Sequence, residues 1–160
     1  MILQENWRFL SAALLADPSL EPTAQDDLES YIHVTTWTTL RYTAHSLSGP
    51  DENAYDRLAR GMELMFDLIE QVDADGNGIG GTFKEKYFRD TKFMSKIVVA
   101  GNKPLTDLLW DLRMLFARRY RDDDAAPVTY NEVQGIFASA LQREDWPEDD
   151  EAVDQLHKTR

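Results

Sequence analysis

Residues 105–116 place Leu105, Leu108, Leu109, Leu112, Leu115 and Phe116 in steps of three, one, three, three and one. Only an α-helix gathers that spacing on one side, because 3.6 residues complete a turn. A stripe this wide has to be buried against other elements, so the chain is committed to a helix-packed core. Pro104 near the first turn and Asp122-Asp123-Asp124 beyond the last residues mark the ends of this helix. The same periodicity predicts a helix through Leu3, Trp7, Leu10 and Leu14 that stops at Asp17-Pro18. It predicts another over 51–72, capped by Asp51 and apolar at Tyr55, Leu58, Met62, Met65, Ile69 and Val72. Further helices are expected over 84–100, closed by Gly101-Asn102, and over 130–141 with Val133, Ile136, Phe137 and Ala140 inside. Residues 24–47 pull both ways: Leu28, Ile32, Thr35, Thr39 and Tyr42 fit a helix, whereas five threonines between 35 and 43 favour extended chain. Their length decides for helix. The expected fold is all-α, a single-domain bundle of about six helices over residues 1–143. An acidic tail, 144–160, is expected to be flexible.

At 160 residues the chain can bury a sizeable core without covalent staples. It has no cysteine, which excludes disulfides, thiolate nucleophiles and cysteine-ligated zinc. No apolar run approaches the ~20 residues of a membrane helix, and the start, Met-Ile-Leu-Gln-Glu-Asn-Trp, has no signal-peptide pattern. A cytoplasmic location is the expectation.

Charge is unevenly spread. The net charge is −12, yet residues 84–121 hold ten Lys/Arg against four acids, so that segment is +6 and the remainder −18. Such a surface repels nucleic acid and anionic membranes and attracts basic proteins. A basic protein partner is therefore expected, nucleic acid is disfavoured and no membrane contact is expected. The opposed charges also permit self-association. In the tail, Trp146 stands within Glu-Asp-Trp-Pro-Glu-Asp-Asp-Glu. Trp146 with Glu148, Asp149 and Asp150 reads as a recognition segment that offers an aromatic anchor and negative charge. The other reading of Trp146 is a latch, its acids folded back on the basic 84–96 helix.

Asp73 to Gly78 read Asp-Ala-Asp-Gly-Asn-Gly. Oxygen-bearing side chains at alternate positions followed by Gly suit a hard cation, with Asp73, Asp75, Asn77 and the Ile79 carbonyl as ligands. Lys84 stands where a bidentate Glu would close the site, and Glu85 comes one residue late, with Gly80-Gly81 as slack. Val128 to Glu132, followed by Val133, Ile136 and Phe137, looks like the back half of a second such loop. The two segments resemble an EF-hand pair over about residues 62–141. That resemblance implies two helix-loop-helix units with adjacent loops, helices that open a groove, and calcium bound weakly, on the order of 10⁻⁴ to 10⁻³ M. On composition alone, Asp-Gly and Asn-Gly also serve as plain turns that need no ion.

Gly76 to Gly81 satisfy G-x-G-x-x-G, but a helix and not a strand is expected before them, which excludes a dinucleotide site. His33, His45 and His157 lack metal-pair spacing, and Arg41 with His45, one turn apart, reads as a surface contact. No catalytic constellation stands out. The leading expectation is a non-enzymatic acidic helical interaction protein (adaptor, inhibitor or immunity-type). The alternative is a calcium-binding EF-hand-like regulator using Asp73, Asp75, Asn77, Ile79 and Glu85.

Overall fold

The computed structural model describes residues 7–156. Helix α5 (Lys103–Arg121), the element of the leucine stripe, runs through the middle and buries Leu108, Leu109, Leu112 and Phe116. Pro104 occupies the first turn as the sequence implies, where a missing N–H costs nothing, while Asn102, expected to close the preceding helix, caps this one by accepting the Leu105 N–H at 3.0 Å. Around it pack α2 (Ala24–Tyr42), α4 (Thr82–Arg89) and α6 (Tyr130–Leu141). Both α2 and α6 open with capping boxes, Thr23 with Asp26 and Thr129 with Glu132. Two shorter helices, α1 (Ala12–Ala16) and α3 (Glu52–Met62), complete the set among the described residues.

The threonines of α2 explain how a β-prone sequence stays helical. Thr35, Thr39 and Thr43 each turn the hydroxyl back onto the carbonyl four residues earlier, at 2.8 Å in every case. The hydroxyl is thereby satisfied by the helix itself and does not compete with it. The helix ends at Tyr42, short of the expected 47, and Val99 bridges to His45 just beyond.

Four more expectations are corrected. The chain is mostly helical rather than purely all-α, because it includes a two-stranded antiparallel hairpin, β1 (Ile69–Val72) and β2 (Gly78–Gly80). The helix expected over 51–72 stops at Met62 and passes through one π-helical turn, Glu63–Asp67, before extending. The reason lies across the molecule. The Trp7 indole lies flat on β2, so that a Cβ at Gly78 or Gly80 would meet it at 2.9 Å. An extended glycine strand offers Trp7 a surface that a helical ridge would not, and the buried indole repays the lost helical turns.

The expected 84–100 helix ends at Arg89. Arg113, buried in α5, draws the following loop inward by donating to the carbonyls of Tyr87, Asp90, Phe93 and Met94 at 2.6–3.1 Å. These bonds satisfy carbonyls left over where α4 stops. The expected N-terminal helix is also interrupted. Trp7–Phe9 form a 3₁₀ turn and Ser11 caps α1, while Leu3 lies outside the described residues.

Residues 144–156 are laid across the body. The Trp146 indole N–H donates to the Ala140 carbonyl at 2.8 Å, and Trp146 and Leu156 both pack on the core. The Val153 and Gln155 N–H groups donate to the last carbonyls of α2, Tyr42 and Arg41, at 2.9 and 2.6 Å. Arg41 pairs with Asp154 at 3.2 Å, and the Tyr55 hydroxyl donates to the Leu156 carbonyl at 3.0 Å. The strap therefore lies on the C-terminal end of α2 and beside α3, not on the basic 84–96 stretch.

Candidate functional site

The Asp73 motif forms the tip of the hairpin. Asp73 Oδ1 accepts the Asp75 and Asn77 N–H groups at 2.9 and 2.8 Å, and Oδ2 accepts the Asn77 side-chain amide at 3.0 Å. These bonds, those from Asn77 foremost, hold the Asp73 carboxyl below its ordinary range. Asp73 and Asn77 are thus brought together. Asp75 contributes its backbone N–H to the Asp73 carboxylate, and Ile79 is in β2 opposite Gln71. Glu85 lies in the first turn of α4 with its carboxylate on Arg89 at 2.9 Å. Lys84, at the position of the closing Glu, points inward. Its ammonium donates to the carbonyls of Trp7, Arg8 and Leu10 at 3.3, 2.8 and 2.7 Å. Burial drives it down to about 7. Among the described residues no three His, Asp or Glu side chains converge as a metal cluster.

Helix α2 carries the two remaining polar features, one on each side. Its inner face presents Asp26, Glu29 and His33, spaced by three and four residues and therefore aligned. Glu29 is fully buried and accepts four bonds: the Ala12 N–H, His33 Nε2, the Arg119 guanidinium and the Tyr120 hydroxyl, at 2.9, 3.0, 2.8 and 2.6 Å. Asp26 takes the second arm of Arg119 at 2.6 Å and the Ser11 hydroxyl at 2.6 Å. Burial pushes the Asp26 carboxyl up, but bonds from Ser11, Arg119 and Thr23 outweigh it and hold it at about 2. Glu29 is likewise held below its ordinary range, burial being outweighed by His33, Arg119 and Tyr120. Burial, with Lys84 nearby, drives the His33 imidazole down to about 4. At neutral pH it is uncharged. Because Nε2–H donates to Glu29, Nδ1 is a bare acceptor, and it has no partner. Every charge here is answered from within, so the cluster fixes α1, α2 and α5 together.

The outer face of α2 has the opposite character. Tyr31 is 63% exposed and Val34 42%, two large apolar side chains left open on this face. Val34, Thr35, Thr38, Thr39, Tyr42 and Thr43 floor a cleft of about 420 Å³, closed on the far side by Leu105 and by Asp150, Glu151 and Ala152 of the strap. Since the hydroxyls of Thr35, Thr39 and Thr43 are spent on the backbone, their methyl groups are the free part of those side chains. The floor is therefore more apolar than a run of threonines suggests. The rim is acidic. Asp150 accepts the Asn102 side-chain amide at 3.0 Å, whereas Glu148, Asp149 and Glu151 are exposed with no hydrogen bond or ion pair to other described residues.

Of the residues read as a recognition segment, Asp150 joins the cleft, Glu148 and Asp149 lie exposed beside it, and Trp146 is half-buried on α6. The reading missed Val34 and the Thr35-Thr39-Thr43 ladder, although their four-residue spacing was visible. It also missed the Asp26-Glu29-His33 face. Arg41 and His45, one turn apart, do not form a joint site. Arg41 is on Asp154, and the two His45 ring nitrogens contact the Leu40 carbonyl and the Leu47 N–H. No protein family, curated protein or solved structure matches this chain.

Proposed function

We propose that this chain is a non-enzymatic acidic interaction protein that docks a basic segment of a partner protein in the cleft between α2 and the C-terminal strap. The observation that carries this reading is the pairing of an apolar floor, Val34 and the threonine methyls, with the Asp150 and Glu151 carboxylates that line the cleft, Glu148 and Asp149 being exposed immediately before them in the strap. A partner supplying one apolar side chain flanked by Lys or Arg satisfies both parts. Lys84 and Arg113 of the +6 segment are turned inward, and Arg119 is held against the buried Asp26 and Glu29. The net charge of −12 steers cationic segments toward the chain. Among the described residues no helix is long and apolar enough to cross a membrane, in keeping with a protein partner. The test is titration with a short peptide that carries one leucine flanked by arginines, at low and moderate salt. Binding that weakens with salt and is lost in Val34→Arg supports the reading. Binding indifferent to both changes removes it.

A second reading, weak calcium binding at the hairpin tip, rests on the Asp73 carboxylate and the Asn77 side chain lying together there; the Asn77 amide, which donates to Asp73 at 3.0 Å, would turn its oxygen to the ion. Calorimetric titration with calcium decides it: heat lost in Asp73→Ala supports a tip site, and silence up to millimolar calcium ends that reading.

A further inference from the structure

A separate cavity, of about 530 Å³, opens between α3 and the loop that follows α4. Its volume falls in the range of small-molecule sites, and its walls are mainly apolar: Leu47, Pro50, Ala54, Leu58, Phe93 and Met94. On the α3 side, Ala54, Arg57, Leu58 and Gly61 share one helical face.

Three locally unfavourable features converge on this cavity. Gly61 stands inside the last turn of α3, where it is a poorer helix former than Ala. It leaves open the space where a Cβ would meet the Met94 methyl at 3.0 Å. Met94 is the one non-glycine residue with positive φ (44°) among the described residues, a conformation that persists only where surroundings enforce it. Arg113 supplies that enforcement. Its guanidinium, stacked 3.9 Å from the Tyr87 ring centroid, donates to the Phe93 and Met94 carbonyls from a buried position. A glycine in a helix, a left-handed methionine and a buried cation together hold one wall in place and keep the space beside it open.

The polar groups at the cavity decide what it takes. The Ser46 and Ser48 hydroxyls are bonded to the Lys96 and His45 carbonyls, and the Asp51 carboxylate caps α3 through the Ala54 N–H at 2.7 Å. Arg57 is the one cation on the lining, exposed and without hydrogen bond or ion pair to other described residues, while the opposing Asp51 carboxylate is engaged at the helix cap through Oδ1. A free guanidinium at the edge of an apolar chamber suits an anionic head group on an apolar chain. The geometry points to a binding site for a small amphipathic carboxylate, its apolar chain against Leu58, Gly61 and Met94 and its carboxylate on Arg57.

The inference is independent of the cleft on α2. A net charge of −12 favours cations everywhere except where a local guanidinium overrides the field. The experiment is calorimetric titration of the full chain with sodium octanoate, 1-octanol and octyltrimethylammonium. Octanoate is expected to bind saturably and more tightly than the other two. Gly61→Leu, which fills the chamber with a better helix former, should weaken octanoate roughly tenfold or more with circular dichroism unchanged. Arg57→Gln, an exposed change, should abolish the preference for octanoate over octanol. Failure of octanoate to bind the wild type overturns the proposal, as does equal binding by both variants or tighter binding of the cationic amphiphile.

Discussion

Helix α2 separates two groups of carboxylates that the sequence does not distinguish. On its inner side Asp26 and Glu29 are buried, and Glu29 accepts four hydrogen bonds from residues as distant in sequence as Tyr120. In the strap across its outer side Glu148, Asp149 and Glu151 are exposed and unpaired among the described residues, and Glu151 lines an apolar cleft. The first group has every lone pair answered inside the fold, so removing a member leaves cations and donors stranded. The second has none answered, so neutralising it should cost the fold nothing and take away whatever the surface was poised to hold. Hydrogen-bond saturation, more than position or composition, separates a structural acid from one free to meet a partner.

The comparison breaks most sharply at Glu29. Glu29→Ala strands Arg119, Tyr120 and the Ala12 N–H, and should destabilise the chain by about 3–5 kcal/mol in urea titration. A loss below about 1 kcal/mol would mean that the buried network is not holding the helices together.

The same cluster sets the acid response. His33 has a folded value of about 4 against an ordinary 6.5, so the unfolded chain takes up the proton first. Stability should therefore fall as pH drops from about 6.5 to 4, by roughly 3 kcal/mol from this residue. His45, also lowered by burial, acts in the same direction. Asp26, held at about 2, adds a further loss between about pH 4 and 2. Thermal melts of wild type and His33→Gln across that range check this: the variant should lose part of the slope between pH 6.5 and 4 and keep the slope below it.

Away from the network, Gly80 tests a purely steric claim. Its Cβ would meet Trp7 at 2.9 Å and the Leu68 carbonyl oxygen at 3.0 Å. Gly80→Ala should thus cost about 1–3 kcal/mol, read by denaturation together with altered Trp fluorescence. Asp73 lies at the exposed end of the comparison, with bonds confined to its own turn. Asp73→Ala should lower Tm by only ~2 °C or less.

How legible this was depended on whether a feature is written locally. Helix α5 was visible, since its stripe and its Pro104 are contiguous, although Asn102 caps it and does not close a helix before it. The capping residue Asp51 behaves as its position implies. The glycine run was visible too, but its purpose was not. Gly78 and Gly80 give way to Trp7, some seventy residues earlier, and no window on the sequence contains both. The helix expected to reach Val72 failed for the same reason. The network around Glu29 joins residues 12, 33, 119 and 120, of which only the Glu29-His33 spacing was readable. The basic segment was counted correctly, yet its placement was hidden: Lys84 and Arg113 face backbone carbonyls, not solvent. In the cleft, the threonine spacing was legible and the strap that closes it was not.

The most direct test of the acidic-docking claim is the affinity of the arginine-flanked leucine peptide for a variant with Glu148, Asp149 and Glu151 changed to Gln, Asn and Gln. Peptide affinity at low salt should fall roughly tenfold or more, while Tm stays within ~2 °C of wild type. Undiminished affinity in that variant would contradict the account, because the unpaired acids of the strap would then not be what holds a basic partner.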